Sequence, residues 1–126
     1  MKINVPLLIA SIFFLSHPAT ADEKCYFYVT SHADEEFEVY QGESLKIIYS
    51  SPIRTSCDIY KTHISLQFND ALKAEYPKTH YYARNETVWG PFKSQNEIMK
   101  RIRKEKAEDG AAGFKIINFP FSYYSD

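Results

Sequence analysis

The sequence predicts an α+β fold: a mostly antiparallel β-sheet, one long C-terminal helix packed on a face, a closing strand after that helix, and one disulfide. Three observations carry this expectation. Short β-branched and aromatic runs with period-2 alternation recur along the chain. Ser94-Gln95-Asn96-Glu97 is a capping box, the Ser-x-x-Glu signature of a helix start. The two cysteines, Cys25 and Cys57, both follow a segment that reads as an export signal.

That segment divides the chain into a signal peptide over residues 1–21 and a single periplasmic or secreted domain over residues 22–126. Lys2 supplies the positive start, residues 5–15 the apolar run and residues 16–21 the polar stretch before cleavage. Ala19 and Ala21 give the small-x-small pattern, which predicts a cut between Ala21 and Asp22. The apolar run is too short for a helix that must cross about 30 Å of hydrocarbon, and no other run is apolar enough to do so. Cys25 is no lipid-attachment site, because Asp22, Glu23 and Lys24 before it are charged where small apolar residues are needed. In an oxidising compartment the two cysteines are expected to form a structural disulfide. Closing that loop is worth about 3–4 kcal/mol in the chain-entropy model.

Each further element has its own local signal. Residues 25–30 are a strand. Residues 36–40 and 44–50 read as a hairpin around a turn at Gln41, Gly42 and Glu43, ended by Ser51-Pro52. Residues 57–68 alternate, with Tyr60, Thr62, Ile64, Leu66 and Phe68 on one face. A helix over residues 62–76 competes there, since Ile64, Phe68, Ala71 and Leu72 also form a helical stripe. The alternation favours a strand followed by a short helix over 69–76, capped by Asn69 and stopped before Pro77. Residues 79–84 and 87–92 are two more strands around Asn85-Glu86. The long helix runs over residues 95–109, with Ile98, Met99 and Ile102 as its apolar stripe and Gly110 past its end. Residues 114–119 close the sheet, and the tail over 120–126 is expected to fray.

Composition narrows the function classes. Losing Lys2 takes 15 basic residues to 14 against 16 acidic ones, a net charge of −2, which argues against a nucleic-acid binder. Of ten tyrosines, nine phenylalanines and one tryptophan, only Phe13 and Phe14 fall in the leader, so a substantial aromatic core is available. No zinc-protease, nucleophile-elbow or phosphate-loop motif occurs, and no cofactor or metal is called for. His32, His63 and His80 are scattered; one of them would have to serve if the chain were a small secreted hydrolase. Asp34, Glu35, Glu36 and Glu38 lack the ligand alternation of a calcium loop. Asn85-Glu86-Thr87 is a formal glycosylation sequon.

Two features point outward. Lys100, Arg101, Arg103, Lys104 and Lys106 put a basic face on the long helix, suited to an anionic partner such as lipid head groups or a cell-wall polymer. Trp89 and Phe92 precede that helix as candidate glycan or partner contacts. Val88-Trp89-Gly90-Pro91-Phe92-Lys93-Ser94, followed by a helix containing Glu97, resembles the second half of a SPOR domain over residues 86–119. SPOR domains are small βαββαβ modules that bind bared glycan strands of peptidoglycan, so the resemblance implies peptidoglycan binding. The first half departs from that plan, because residues 25–50 read as strands throughout. Residues 106–116 are similar to the closing helix and strand of small enterobacterial periplasmic stress-response domains. The expectation that best accommodates these features is a small, exported, non-enzymatic binding protein. Its partner would be another protein, as for inhibitors and immunity proteins, or a component of the cell envelope.

Overall fold

The computed structural model describes residues 23–33, 46–77, 81–82 and 87–124. Residues 1–21, expected as an export signal, the run 36–40, the acidic Asp34–Glu38 stretch, His80 and Asn85-Glu86 lie outside the described residues. The elements are β1 (Lys24–Ala33), β2 (Lys46–Ser50), β3 (Ile53–Ser56), α1 (Lys61–Glu75), β4 (Tyr81–Tyr82), β5 (Val88–Phe92), α2 (Gln95–Ala111) and β6 (Lys115–Phe119). The α+β class, the mostly antiparallel sheet, the C-terminal helix and the closing strand are as expected.

β1 is the axis of the sheet. Its later half pairs antiparallel with β2, through Thr30 and Tyr49, and with β4, through His32 and Tyr82. Its earlier half pairs antiparallel with β3, through Cys25 and Thr55, and with β5, through Tyr28 and Trp89. β6 joins β2 in parallel, Ile47 opposite Ile116. β2 therefore has β1 on one edge and β6 on the other. The pairing expected between residues 44–50 and 36–40 involves residues outside the described ones. On either side of residues 85–86, β4 and β5 both pair with β1.

Residues 57–68 are not a strand. α1 begins at Lys61 and continues unbroken to Glu75, with Asn69 inside it and not at its cap. The run satisfies both periodicities, and burial decides between them. Ile64, Phe68 and Leu72, each one turn after the last, are buried with Ser65. Leu66 and Tyr60, which a strand would have placed on the same face as Ile64, are 59% and 74% exposed. Burying each of the three large apolar residues gives about 1.5–3 kcal/mol, more than any difference in local propensity. The helix ends just before Pro77, as the steric demand of proline requires.

The two helices take opposite faces of the sheet. Cys25, Phe27, Val29, Ile48, Ile53 and Val88 meet Ile64, Phe68 and Leu72 of α1. The intervening residues Tyr28, Ile47 and Tyr49 meet Ile98 and Ile102 of α2. Alternation along β1 and β2 thus feeds two cores, one on each side. The tail does not fray over residues 120–124. Phe121 is buried in the α1 core, and its N–H and carbonyl both bond the Ser51 hydroxyl, at 2.9 and 3.0 Å. The Gln67 side-chain amide bonds the backbone of Tyr124 twice, at 2.6 and 3.0 Å.

The disulfide between Cys25 and Cys57 is formed, with Cα atoms 4.8 Å apart. It ties the start of β1 to the turn after β3, where Cys57 N–H also donates to Glu23 O at 3.1 Å. Bonded cysteines are the pattern of an oxidising, extracytoplasmic compartment. Where β5 crosses the register shift of β1 between Tyr26 and Tyr28, Gly90 has φ +133° and a cis peptide bond to Pro91. A Cβ at Gly90 would stand 2.7 Å from both the Phe27 ring and the Tyr26 carbonyl oxygen, so only glycine fits.

Candidate functional site

α2 is fixed at its head by the expected capping box. Ser94 Oγ accepts from Glu97 N–H at 3.1 Å. The Glu97 carboxylate accepts in return from Lys93 N–H at 2.9 Å, one residue before the cap itself. Ile98 and Ile102 then bury against the sheet, and two acids continue the same stripe at Glu105 and Asp109. Both point at tyrosines. Tyr28 hydroxyl donates to Glu105, and Tyr49 hydroxyl donates to Asp109 at 2.5 Å. The two rings stack at 6.1 Å with planes 7° apart, and Phe92 and Trp89 stack on the other side of Tyr28 at 6.0 and 6.4 Å.

Electrostatics fix the role of these hydroxyls. Burial, then the hydrogen bond and charge of Glu105, hold the Tyr28 hydroxyl well above the usual tyrosine range. Burial and then Asp109 do the same for Tyr49. Both remain neutral donors at physiological pH. The arrangement sets the rotation and register of α2 over the sheet, because a slide of one residue would strand two buried hydroxyls. The apolar stripe alone does not reveal Glu105 and Asp109 as inward residues. Their spacing of three and seven from Ile102 is the signal that does.

The five basic residues do not form one face. Lys100, Arg101 and Lys104 lie on the flank toward β5. Together with Pro91, Phe92 and Glu97 they line a concavity of about 760 Å³. Arg101 pairs with Glu105 at 3.8 Å and Lys104 with Glu108 at 3.9 Å. Such exposed pairs contribute about 0.3–0.5 kcal/mol each, so these cations remain available to a partner. Lys106 sits on the other flank. Its ammonium lies 5.4 Å above the centre of the Tyr49 ring and donates to Asn118 Oδ1 at 2.6 Å. Desolvation holds it below the usual lysine range. Arg103 is exposed and does not line this concavity.

Of the aromatic pair, Phe92 lines the concavity and Trp89 does not. The Trp89 indole N–H is spent on Thr30 Oγ1 at 3.0 Å, so this residue braces the sheet. His32 packs edge-on to Phe114 and His63 edge-on to Tyr60; both are exposed, and the structure does not bring them together. Among the described residues, no three His, Cys, Asp or Glu side chains converge to hold a metal. Among the same residues, no helix is long and apolar enough to cross a membrane.

Comparison with protein-family models, with curated proteins and with solved structures returned no match.

Proposed function

We propose that this chain is a small, exported, non-enzymatic binding protein, cleaved between Ala21 and Asp22, that docks an acidic segment of another protein in the manner of an inhibitor or immunity protein. The observation that carries this is the concavity between β5 and α2. Its wall is apolar, from Pro91 and Phe92, and its rim carries three cations, Lys100, Arg101 and Lys104, beside one acid, Glu97, which caps the helix through Lys93 N–H. An apolar anchor with an excess of cations around it suits a peptide that combines an aromatic or aliphatic side chain with carboxylates. The wall is held rigid, since Phe92 stacks on buried Tyr28, and α2 is locked by Tyr28 and Tyr49. A preformed site gives up little conformational entropy on binding.

A photo-crosslinking residue placed at Phe92 in the producing cells tests this. One dominant protein adduct is expected, and it should vanish when Lys100, Arg101 and Lys104 are replaced together by glutamine. Absence of any protein adduct, or an adduct indifferent to those three charges, sinks the reading. The strand–helix–strand unit β5–α2–β6 supports a second reading, the SPOR-like one. In that case sedimentation with purified peptidoglycan should carry the protein down, and replacing Phe92 by alanine should release it.

A further inference from the structure

The flank of α2 that carries Lys106 holds a second cavity, apart from the docking concavity. We infer that it is a binding site for a small monocarboxylic acid with an apolar stem, the carboxylate held by Lys106 and the stem lying on Met99, Phe119 and Pro52. The cavity measures about 330 Å³, at the lower end of the range of about 300–1,000 Å³ typical of small-molecule sites. It opens where β2 and β6 both end, at Ser50 and Phe119. β2 and β6 are the parallel pair of this sheet, so both strands end at this same rim.

The polar groups around it are unequal. Ser51 is spent, its hydroxyl giving and receiving a hydrogen bond with Phe121. Lys106 is not. Its ammonium uses one of three N–H donors, on Asn118, and it has no carboxylate within ion-pair reach among the described residues. The Asn118 amide, with its oxygen occupied by Lys106, presents its own N–H donors beside it. The cavity thus offers donors over an apolar floor, next to a half-buried cation that has no counter-ion among the described residues. A carboxylate completes that arrangement with charge-assisted hydrogen bonds. The small volume and single cation exclude a polyanion, and the methionine, phenylalanine and proline walls favour an aliphatic or aryl stem over a sugar.

3-Phenylpropionate is a direct probe, with 3-phenylpropionamide as its uncharged isostere, titrated into the purified oxidised protein and followed by backbone amide shifts. Saturable shifts centred on Lys106, Asn118 and Phe119 are expected for the acid. Binding should weaken roughly tenfold or more for the amide and for Lys106→Met, as the loss of one charge-assisted hydrogen bond dictates. Lys106→Arg should restore most of the affinity, and Lys104→Gln on the opposite flank should leave it unchanged. The comparison of acid with amide uses the unaltered protein, so it stands even if Lys106→Met folds poorly. No saturation up to about 10 mM acid, equal binding of acid and amide, or indifference to Lys106→Met each overturns the inference. None of these results bears on the Phe92 crosslink, so the two sites stand or fall separately.

Discussion

The two faces of the sheet are built on different principles. Under α1 the large buried side chains are apolar, Phe27, Val29, Ile48, Val88, Ile64, Phe68 and Leu72, with the disulfide at one end, and the polar ones are short hydroxyls, Ser31, Ser50, Thr55 and Ser65. Under α2, the largest buried side chains are Tyr28 and Tyr49, whose hydroxyls reach Glu105 and Asp109. The first face satisfies its short hydroxyls on backbone groups, as Ser50 Oγ accepts from Val29 N–H at 2.8 Å and Ser65 Oγ donates to Thr62 O at 3.1 Å. The second pairs buried hydroxyls with carboxylates of the helix and so holds that helix in one register. Both concavities on that side depend on that register, since each is walled by α2. The comparison assigns stability to the α1 side and positional accuracy to the α2 side.

Breaking the dry face should cost most. Phe68→Ala removes a fully buried ring that meets Phe119 and Phe121 edge-on, at 5.7 and 5.2 Å. A loss of about 3–5 kcal/mol in urea unfolding is expected. A loss under about 1 kcal/mol would mean that α1 does not anchor the core. Replacing Cys25 and Cys57 together by serine should follow, at about 2–5 kcal/mol, with the native fold retained by circular dichroism.

Smaller effects are expected on the polar face. Tyr28→Phe keeps the ring stack but takes the donor from Glu105, which retains Arg101 beside it. The expected loss is about 1 kcal/mol, at the low end for an orphaned acceptor. A double-mutant cycle with Glu105→Gln should show that most of it is coupling between the two residues. If the cycle is additive, the Tyr28–Glu105 contact has no energetic content.

The smallest effect is confined to alkali. Tyr28 and Tyr49 have folded-state values raised above the unfolded tyrosine value of about 10. The stabilisation from keeping them neutral is complete below about pH 10, because neither state is ionised there. It is lost as pH rises further, because the unfolded chain releases protons that the folded one retains. Thermal unfolding from pH 8 to 11 should therefore fall less steeply for the Tyr28→Phe, Tyr49→Phe double variant than for the unaltered protein. Parallel curves would show that these hydroxyls titrate normally in the fold.

Much of the α2 side was legible in the sequence, and the α1 side much less so. The capping box, Ile98, Ile102 and the strands on either side are local signals that tertiary structure left in place. α1 was misread because Tyr60, Thr62, Ile64, Leu66 and Phe68 alternate as well as they spiral. Nothing local shows that Leu66 faces water and Leu72 does not. The basic residues were legible as a set but not as two groups. Their division between Phe92 and Asn118 follows from β5 and β6 being different edges of the sheet, and strand order is not written in residue spacing. The inward turn of Glu105 and Asp109 was hidden for a related reason. An acid on a helix stripe is read as solvated until a tyrosine is known to stand beneath it.

The clasp between Gln67 and Tyr124 has a practical corollary. It pins the last described residues of the chain against α1, on the side of the sheet away from α2. A tether attached at Tyr124 therefore leaves from the back of the molecule. Protein immobilised that way should present both concavities to solution without obstruction, which makes coupling at Tyr124 the natural orientation for surface-based binding measurements.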